Sequence, residues 1–361
     1  MLKSKHSDKE ILETSLKYIN DHSAVPCCIM EVCGTHTMSI YRHGLRQLLP
    51  PHICLISGPG CPVCVTDSTM LGYAMAICQL PGVILTSFGD MLRVPAGGSS
   101  LLECRDRGAD VRMVLSPLDA LSLAEENTDK EVVFFAVGFE TTAPLVAAAV
   151  EKAFLQGVKN FSVISAHKVM PPVLRQLLAE KSGVDALICP GHVATVMGAK
   201  SFNFLADELN LPSAISGFEA ADIMLAVSAL VQMIEDGEAG LKNCYHRAVT
   251  DNGNIVAQNL LNRVFCASDV VWRGFGLIPD SGLALADEYK NYDALEKFKE
   301  EILSVDPLAD DPACSCGLVV RGDIAPEQCA LFGNACTSNS PQGACMVSSE
   351  GACAVAYRFR Q

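Results

Sequence analysis

The sequence predicts an α/β fold of two βαβ-type lobes, with parallel sheets facing a cleft, followed by a cysteine-rich C-terminal module. Three observations predict it. Apolar and β-branched runs alternate with segments of helical periodicity through residues 27–236, the pattern that builds parallel sheet. Chemically unusual residues fall just after those runs, where open parallel sheets form their ligand crevice. Six of the seventeen cysteines lie between residues 314 and 353.

Residues 1–25 open with MLKSKHSDKEILETSLKYIN, which is charged throughout and has no apolar h-region, so it reads as a surface helix and not a secretory signal. A cytoplasmic chain is expected. Lobe I, residues 26–125, carries the runs CCIMEVC (27–33), ICLISG (53–58), VILTSF (83–88) and VRMVLS (111–116). Lobe II, residues 126–240, carries VVFFAVG (132–138), FSVISA (161–166), ALICP (186–190) and SAISG (213–217). All eight read as buried strands. The polar AEENTDKE at 124–131 marks the expected division between lobes. Residues 241–361 form the C-terminal module.

Composition removes several functions. Half of the 361 residues are hydrophobic, enough for a sizeable core. A net charge of −14, from 41 acidic against 27 basic residues, disfavours nucleic acid as a partner. The apolar stretch IMLAVSALVQMI (223–234) is too short to cross a bilayer, so no membrane span is expected. Seventeen cysteines in a chain of the reducing cytosol point to metal or redox chemistry, not a static disulfide framework.

In EVCGTHT (31–37), Cys33 ends a strand and meets the N-terminus of a helix, where backbone N–H groups stabilise a thiolate. It is a reactive or metal-binding sulfur, or a packed structural cysteine; His36, three positions on, fits a ligand, a proton donor or a cap. Cys61 and Cys64 in GPGCPVC have the C-x-x-C spacing shared by thiol redox pairs and metal sites, just before a helix starting at Asp67 or Ser68. The tail lacks apolar runs for a core of its own, so a metal is expected to order it. It shows no paired zinc knuckles, and its wide, irregular spacing suits an iron-sulfur cluster better than zinc or disulfides. His167, His192, Glu140 and Glu219 also follow strands and fit acid-base or scaffold roles equally. Trp272 is expected to pack against the cysteine-rich module or a partner.

EVCGTHT, GPGCPVCV, TSFGDMLRVPAG, GFETTAP, CPGHVATVMG, WRGFGLIP and GACMVSSEGACA together resemble, in order, the signature blocks of the hydrogenase maturation protein HypD family. The residues around Ala96 depart slightly from that pattern. The resemblance implies a redox-active scaffold, not a conventional small-molecule enzyme, on which a mononuclear iron acquires cyanide and carbon monoxide before delivery to the large subunit of a nickel-iron hydrogenase. It implies a small HypC-type chaperone sharing the iron, and HypE bringing cyanide after HypF has made its carbamoyl precursor. Carried onto matching positions, Cys33 would be an iron ligand, His36 a nearby helper, and Cys61 and Cys64 a redox pair beside the iron, with a direct bond to it left open. The family's cluster spacing of fourteen, six and sixteen intervening residues falls on Cys314, Cys329, Cys336 and Cys353, implying a [4Fe-4S] cluster that feeds electrons to the thiol pair. Cys316 and Cys345 are spare, each an alternative to a neighbouring ligand of that set. A cluster-dependent disulfide reductase and a structural zinc protein are the competing functions.

Overall fold

The computed structural model describes residues 2–180, 183–303, 305, 306, 308 and 310–360. Met1 of the expected first helix, and residues 304, 307, 309 and 361 of the expected C-terminal module, lie outside the described residues. In chain order the strands are β1 (Cys27–Glu31), β2 (Ile53–Ser57), β3 (Val83–Ser87), β4 (Asp110–Met113), β5 (Glu131–Gly138), β6 (Phe161–His167), β7 (Ala186–Pro190), β8 (Ser213–Ser216), β9 (Leu241–Asn243), β10 (Phe265–Trp272) and β11 (Gly276–Leu285). All eight expected strands form, within three residues of their expected limits. Their apolar runs are continuous because helices cover both faces of a parallel sheet, and seven of the eight residues of β5 are buried.

The strands sort into two parallel sheets, but not at residues 124–131. One sheet has the order β2-β1-β7-β8-β9 and the other β4-β3-β5-β6. The chain begins the first sheet, crosses over to build the whole of the second, and returns at β7. Lobe I as expected from sequence therefore contributes to both sheets, and so does lobe II. Local periodicity identifies a strand; which strands pair is decided by the long-range burial of their faces. β9 is only three residues and half-buried, and the antiparallel hairpin β10–β11 mixes exposed, half-buried and buried positions, so neither shows the apolar run that marks the other strands.

Asp67 caps the helix Ser68–Ile77, its carboxylate accepting the N–H groups of Thr69 and Met70 at 3.1 and 3.2 Å. The short helix Pro62–Val65 just before it follows β2 of the first sheet and packs on β5 of the second, so it joins the two. The cysteine-rich tail does not stand apart as a unit. Val319, Val320 and Met346 share a core with Met30, Val32 and Leu187 of the first sheet, while Ala344 and Val347 pack with Leu85, Val133 and Phe135 of the second. The tail thus borrows the core that its own composition lacks. Trp272, fully buried, stacks on Phe139 with ring centroids 6.0 Å apart and donates from Nε1 to Ser281 Oγ at 2.9 Å. It shares that core with Cys61, Cys64, Cys316, Cys336, Cys345 and Cys353, bearing out its packing role. Among the described residues, no helix is long and apolar enough to cross a membrane.

Candidate metal and thiol site

β1 and β7 are neighbours at the point where the first sheet changes direction: the chain runs from β1 outward to β2, and later from β7 the other way to β8 and β9. Such a switch point opens a crevice beyond the carboxyl ends of the strands. Cys33 and His36 follow β1, His192 follows β7, and Phe218 follows β8. One crevice therefore collects residues far apart in the chain.

Cys33 has extended backbone and heads the helix Gly34–Arg42. Its N–H donates to Glu31 Oε2 at 3.1 Å; its sulfur makes no cap hydrogen bond to that helix, although the nearby backbone N–H groups of His36 and Thr35 favour the thiolate. Burial, with a smaller contribution from the Glu350 charge, nevertheless pushes the thiol up to about 12. The GPGC loop lies directly against it. The Gly34 N–H donates to Gly60 O at 3.0 Å, and a Cβ placed on Gly60 would stand 2.3 Å from the Cys33 nitrogen. Only glycine permits that approach. Cys61 and Cys64, the next residues in this loop, are joined in a disulfide with Cα atoms 5.3 Å apart, at 5% and 1% exposure. In that state neither sulfur offers a thiolate to a metal.

His36 is fully buried. Its Nε2 lies 2.9 Å from the Gly217 carbonyl, which assigns the proton to Nε2 and leaves Nδ1 an acceptor with no partner among the described residues. Burial pushes its pKa down to about 4, so the ring is neutral at neutral pH. Phe218 lies between two imidazoles, its centroid 4.9 Å from His36 and 3.9 Å from the exposed His192. Glu350, from the C-terminal module, closes the crevice by accepting the Thr35 hydroxyl proton at 2.8 Å. Its backbone carbonyl would stand 2.6 Å from a Cβ on Gly34.

The six C-terminal cysteines form one connected group. Cys329 interacts electrostatically with Cys314 and Cys336, and Cys336 with Cys353. Burial pushes the Cys329 thiol up, but N–H donation led by Ser315 outweighs it and the net shift is downward. Cys336 accepts the Gln342 N–H at 3.3 Å. N–H groups directed at sulfur are what cluster-bound thiolates use, so this donor set fits an iron-sulfur cluster. Among the described residues, no three His, Cys, Asp or Glu side chains are gathered to hold a metal ion. A single-ion site of that kind is different from four thiolates that each bind a separate iron. Cys316 and Cys345 meet with sulfurs 2.9 Å apart, and each also contacts one of those four, Cys316 meeting Cys314 and Cys345 meeting Cys353. Hydrogen bonds from Cys314 and then Cys345 hold Cys316 well below the ordinary thiol range, and the same contact pushes Cys345 well above it.

The HypD family model, described as "Hydrogenase formation hypA family", matches residues 10–360. This chain belongs to the HypD family. It is 45% identical over 338 residues to the hydrogenase maturation factor HypD of Escherichia coli K12, covering 93% of this chain and 90% of that one. It is 43% identical over 339 residues to the HypD of Azotobacter vinelandii, covering 92% and 89%. The putative hydrogenase expression/formation protein of Methanocaldococcus jannaschii is 40% identical over 338 residues, with 92% of each chain covered.

Within this HypD-family chain, the folded structure brings Cys33, His36 and the Cys61–Cys64 loop into one place, and links Cys314, Cys329, Cys336 and Cys353 with Cys316 and Cys345 through neighbouring thiols. The Cys316–Cys345 pair, Phe218 and Glu350 were not singled out by sequence reasoning. Cys316 and Cys345 were visible only as cysteines outside the cluster spacing, and Glu350 only as one letter within GACMVSSEGACA. Phe218 carried no signal beyond its place after a strand.

Proposed function

We propose that this chain is a maturation scaffold for nickel-iron hydrogenase, holding an iron atom as cargo at Cys33 while cyanide and carbon monoxide are added. The observation that carries the reading is the seating of Cys33 on Gly60, which joins a buried sulfur at the sheet's switch point to a loop closed by a disulfide. A soft thiolate suits an iron carrying strong-field diatomic ligands. Loading the iron displaces the Cys33 proton, and the Thr35 and His36 N–H groups stabilise the resulting thiolate. The neutral His36 offers its unpartnered Nδ1 as an acceptor in the same crevice. Glu350 and the buried loop limit water access.

One protein sulfur leaves the iron open to other ligands, which supports a shared site with a HypC-type chaperone contributing its own cysteine, and with HypE as the cyanide donor. Cys61 and Cys64 hold two electrons when reduced. Cys314, Cys329, Cys336 and Cys353 would hold the [4Fe-4S] cluster, which supplies one-electron redox capacity when bound. The near-complete burial of Cys61 and Cys64 weighs against the competing reading of a reductase for protein disulfides.

Infrared spectroscopy of the chain copurified with its small chaperone tests the proposal. Cyanide and carbonyl stretching bands are expected, and Cys33→Ala removes them while leaving the iron-sulfur absorbance intact. Bands that survive Cys33→Ala would sink the assignment of the iron to this residue.

A further inference from the structure

A second pair of thiols lies away from the crevice, at the other end of the helix Ser68–Ile77. Cys78 follows that helix, and Cys104 belongs to the helix Leu101–Asp106. Ten helical residues separate Cys78 from the start of that helix near Cys64, a span of about 15 Å at the usual rise per residue. Both thiols line a cavity of about 430 Å³, whose wall also includes Arg107, Asp110 and Lys130.

Packing alone would explain two buried cysteines. Their contacts are more specific. The Cys78 thiol donates to Met75 O at 3.2 Å and lies within hydrogen-bonding reach of the Cys104 thiol. The Arg107 guanidinium donates from Nη2 to Cys104 Sγ at 3.5 Å. One sulfur thus accepts from an exposed arginine that also pairs with Glu103 at 3.9 Å, and the other donates to a backbone carbonyl. Burial and then the neighbouring Cys104 push Cys78 up to about 12, in keeping with that division. The thiolate is the form that reacts with electrophilic oxygen or sulfur, and the Arg107 contact places a hydrogen-bond donor on the Cys104 sulfur.

We propose that Cys78 and Cys104 are a second oxidisable dithiol of this protein, converted to a disulfide by a hydroperoxide that enters the cavity they line. The Cys104 thiolate attacks the hydroperoxide, an S–O bond forms as the O–O bond breaks, and the leaving alkoxide or hydroxide takes up the proton lost from Cys104. The Cys78 sulfur then attacks the sulfenic sulfur; the S–S bond forms, the S–O bond breaks, and water leaves with the Cys78 proton. Two thiols and one hydroperoxide give one disulfide, one alcohol or water, and one water, the two electrons passing from sulfur to oxygen. The product covalently joins the end of Ser68–Ile77 to Leu101–Asp106, helices already packed together.

The test treats the full-length chain, reduced under anaerobic conditions, with hydrogen peroxide, then maps alkylated peptides without reduction. A Cys78–Cys104 cross-linked peptide is expected. Cys78→Ser should leave a dimedone-trappable sulfenic acid on Cys104, whereas Cys104→Ser should give neither the cross-link nor an adduct on Cys78. Arg107→Gln should slow cross-linking by roughly five- to tenfold, reflecting loss of the guanidinium donor at the sulfur. The proposal is overturned if the wild-type chain shows no such cross-link while Cys61–Cys64 in the same sample is fully oxidised, or if Cys78 acquires the adduct in Cys104→Ser at the wild-type rate. The wild-type map decides by itself if a variant does not fold.

Discussion

Gly60 and Cys33 touch backbone to backbone: a Cβ on Gly60 would fall 2.3 Å from the Cys33 nitrogen and 2.5 Å from its Cα. The contact fixes where the C-x-x-C loop sits relative to the sulfur at the end of β1. Gly60→Ala should therefore push the loop away and destabilise the chain by about 1–3 kcal/mol, the usual cost of overpacking a tight site. Gly240→Ala, whose Cβ would have only the Met233 sulfur at 3.5 Å as a neighbour, is the matched control. Chemical denaturation of both variants checks this, and equal losses would show that the contact is not a constraint.

Glu350 contributes both cover and charge at Cys33. Glu350→Gln keeps the shape and removes the charge, so the Cys33 thiol should become more acidic. Its alkylation by iodoacetamide at fixed pH should accelerate about two- to fivefold, as expected for losing one nearby charge in a partly screened site. Mass spectrometry of the Cys33 peptide over time gives the rate.

Glu140 is 2% exposed, accepts the Met170 N–H through Oε1 at 2.8 Å, and leaves Oε2 without a partner among the described residues. Burial raises its pKa from 4.5 to about 7. The folded chain therefore holds this proton more tightly than the unfolded chain; the resulting stabilisation is present in full below about pH 4.5 and is lost as pH rises through about 7. Glu140→Gln cannot ionise, so its stability relative to the wild type should improve between pH 4.5 and pH 8, by about 3 kcal/mol at most. The neutral buried His36 and His167 act in the opposite direction as pH falls, but they are common to both proteins and cancel in the comparison. Urea denaturation across that pH range measures the difference, and a flat difference would remove Glu140 as a buried acid.

The two kinds of C-terminal cysteine should separate on substitution. Replacing Cys314, Cys329, Cys336 or Cys353 by Ala should lower iron and sulfide from about four of each per chain. Cys316→Ser and Cys345→Ser should leave both contents unchanged, because Cys316 and Cys345, which meet at 2.9 Å beside Cys314 and Cys353, lie outside the family's ligand spacing. Iron and acid-labile sulfide assays on anaerobically purified protein decide. Loss of the cluster in Cys316→Ser would reassign the ligands.

The sequence by itself determined the eight parallel strands, a helix start at Asp67 or Ser68 and the family, because each is written in local periodicity, capping chemistry or short ordered motifs. Cys33, His36, Cys61 and Cys64 stand out in short motifs after strands, whereas the four widely spaced C-terminal cysteines stand out only through the family's spacing. Tertiary structure alone decided that β3 and β4 join β5 and β6, against a division at residues 124–131, because strand pairing is settled by which apolar faces bury each other across long loops. It also decided the contact of Gly60 with Cys33, the meeting of Cys316 with Cys345, and the placing of Glu350 on Thr35. Those relations join residues as many as 315 positions apart, and only the packing of both sheets around the C-terminal segment brings them within reach.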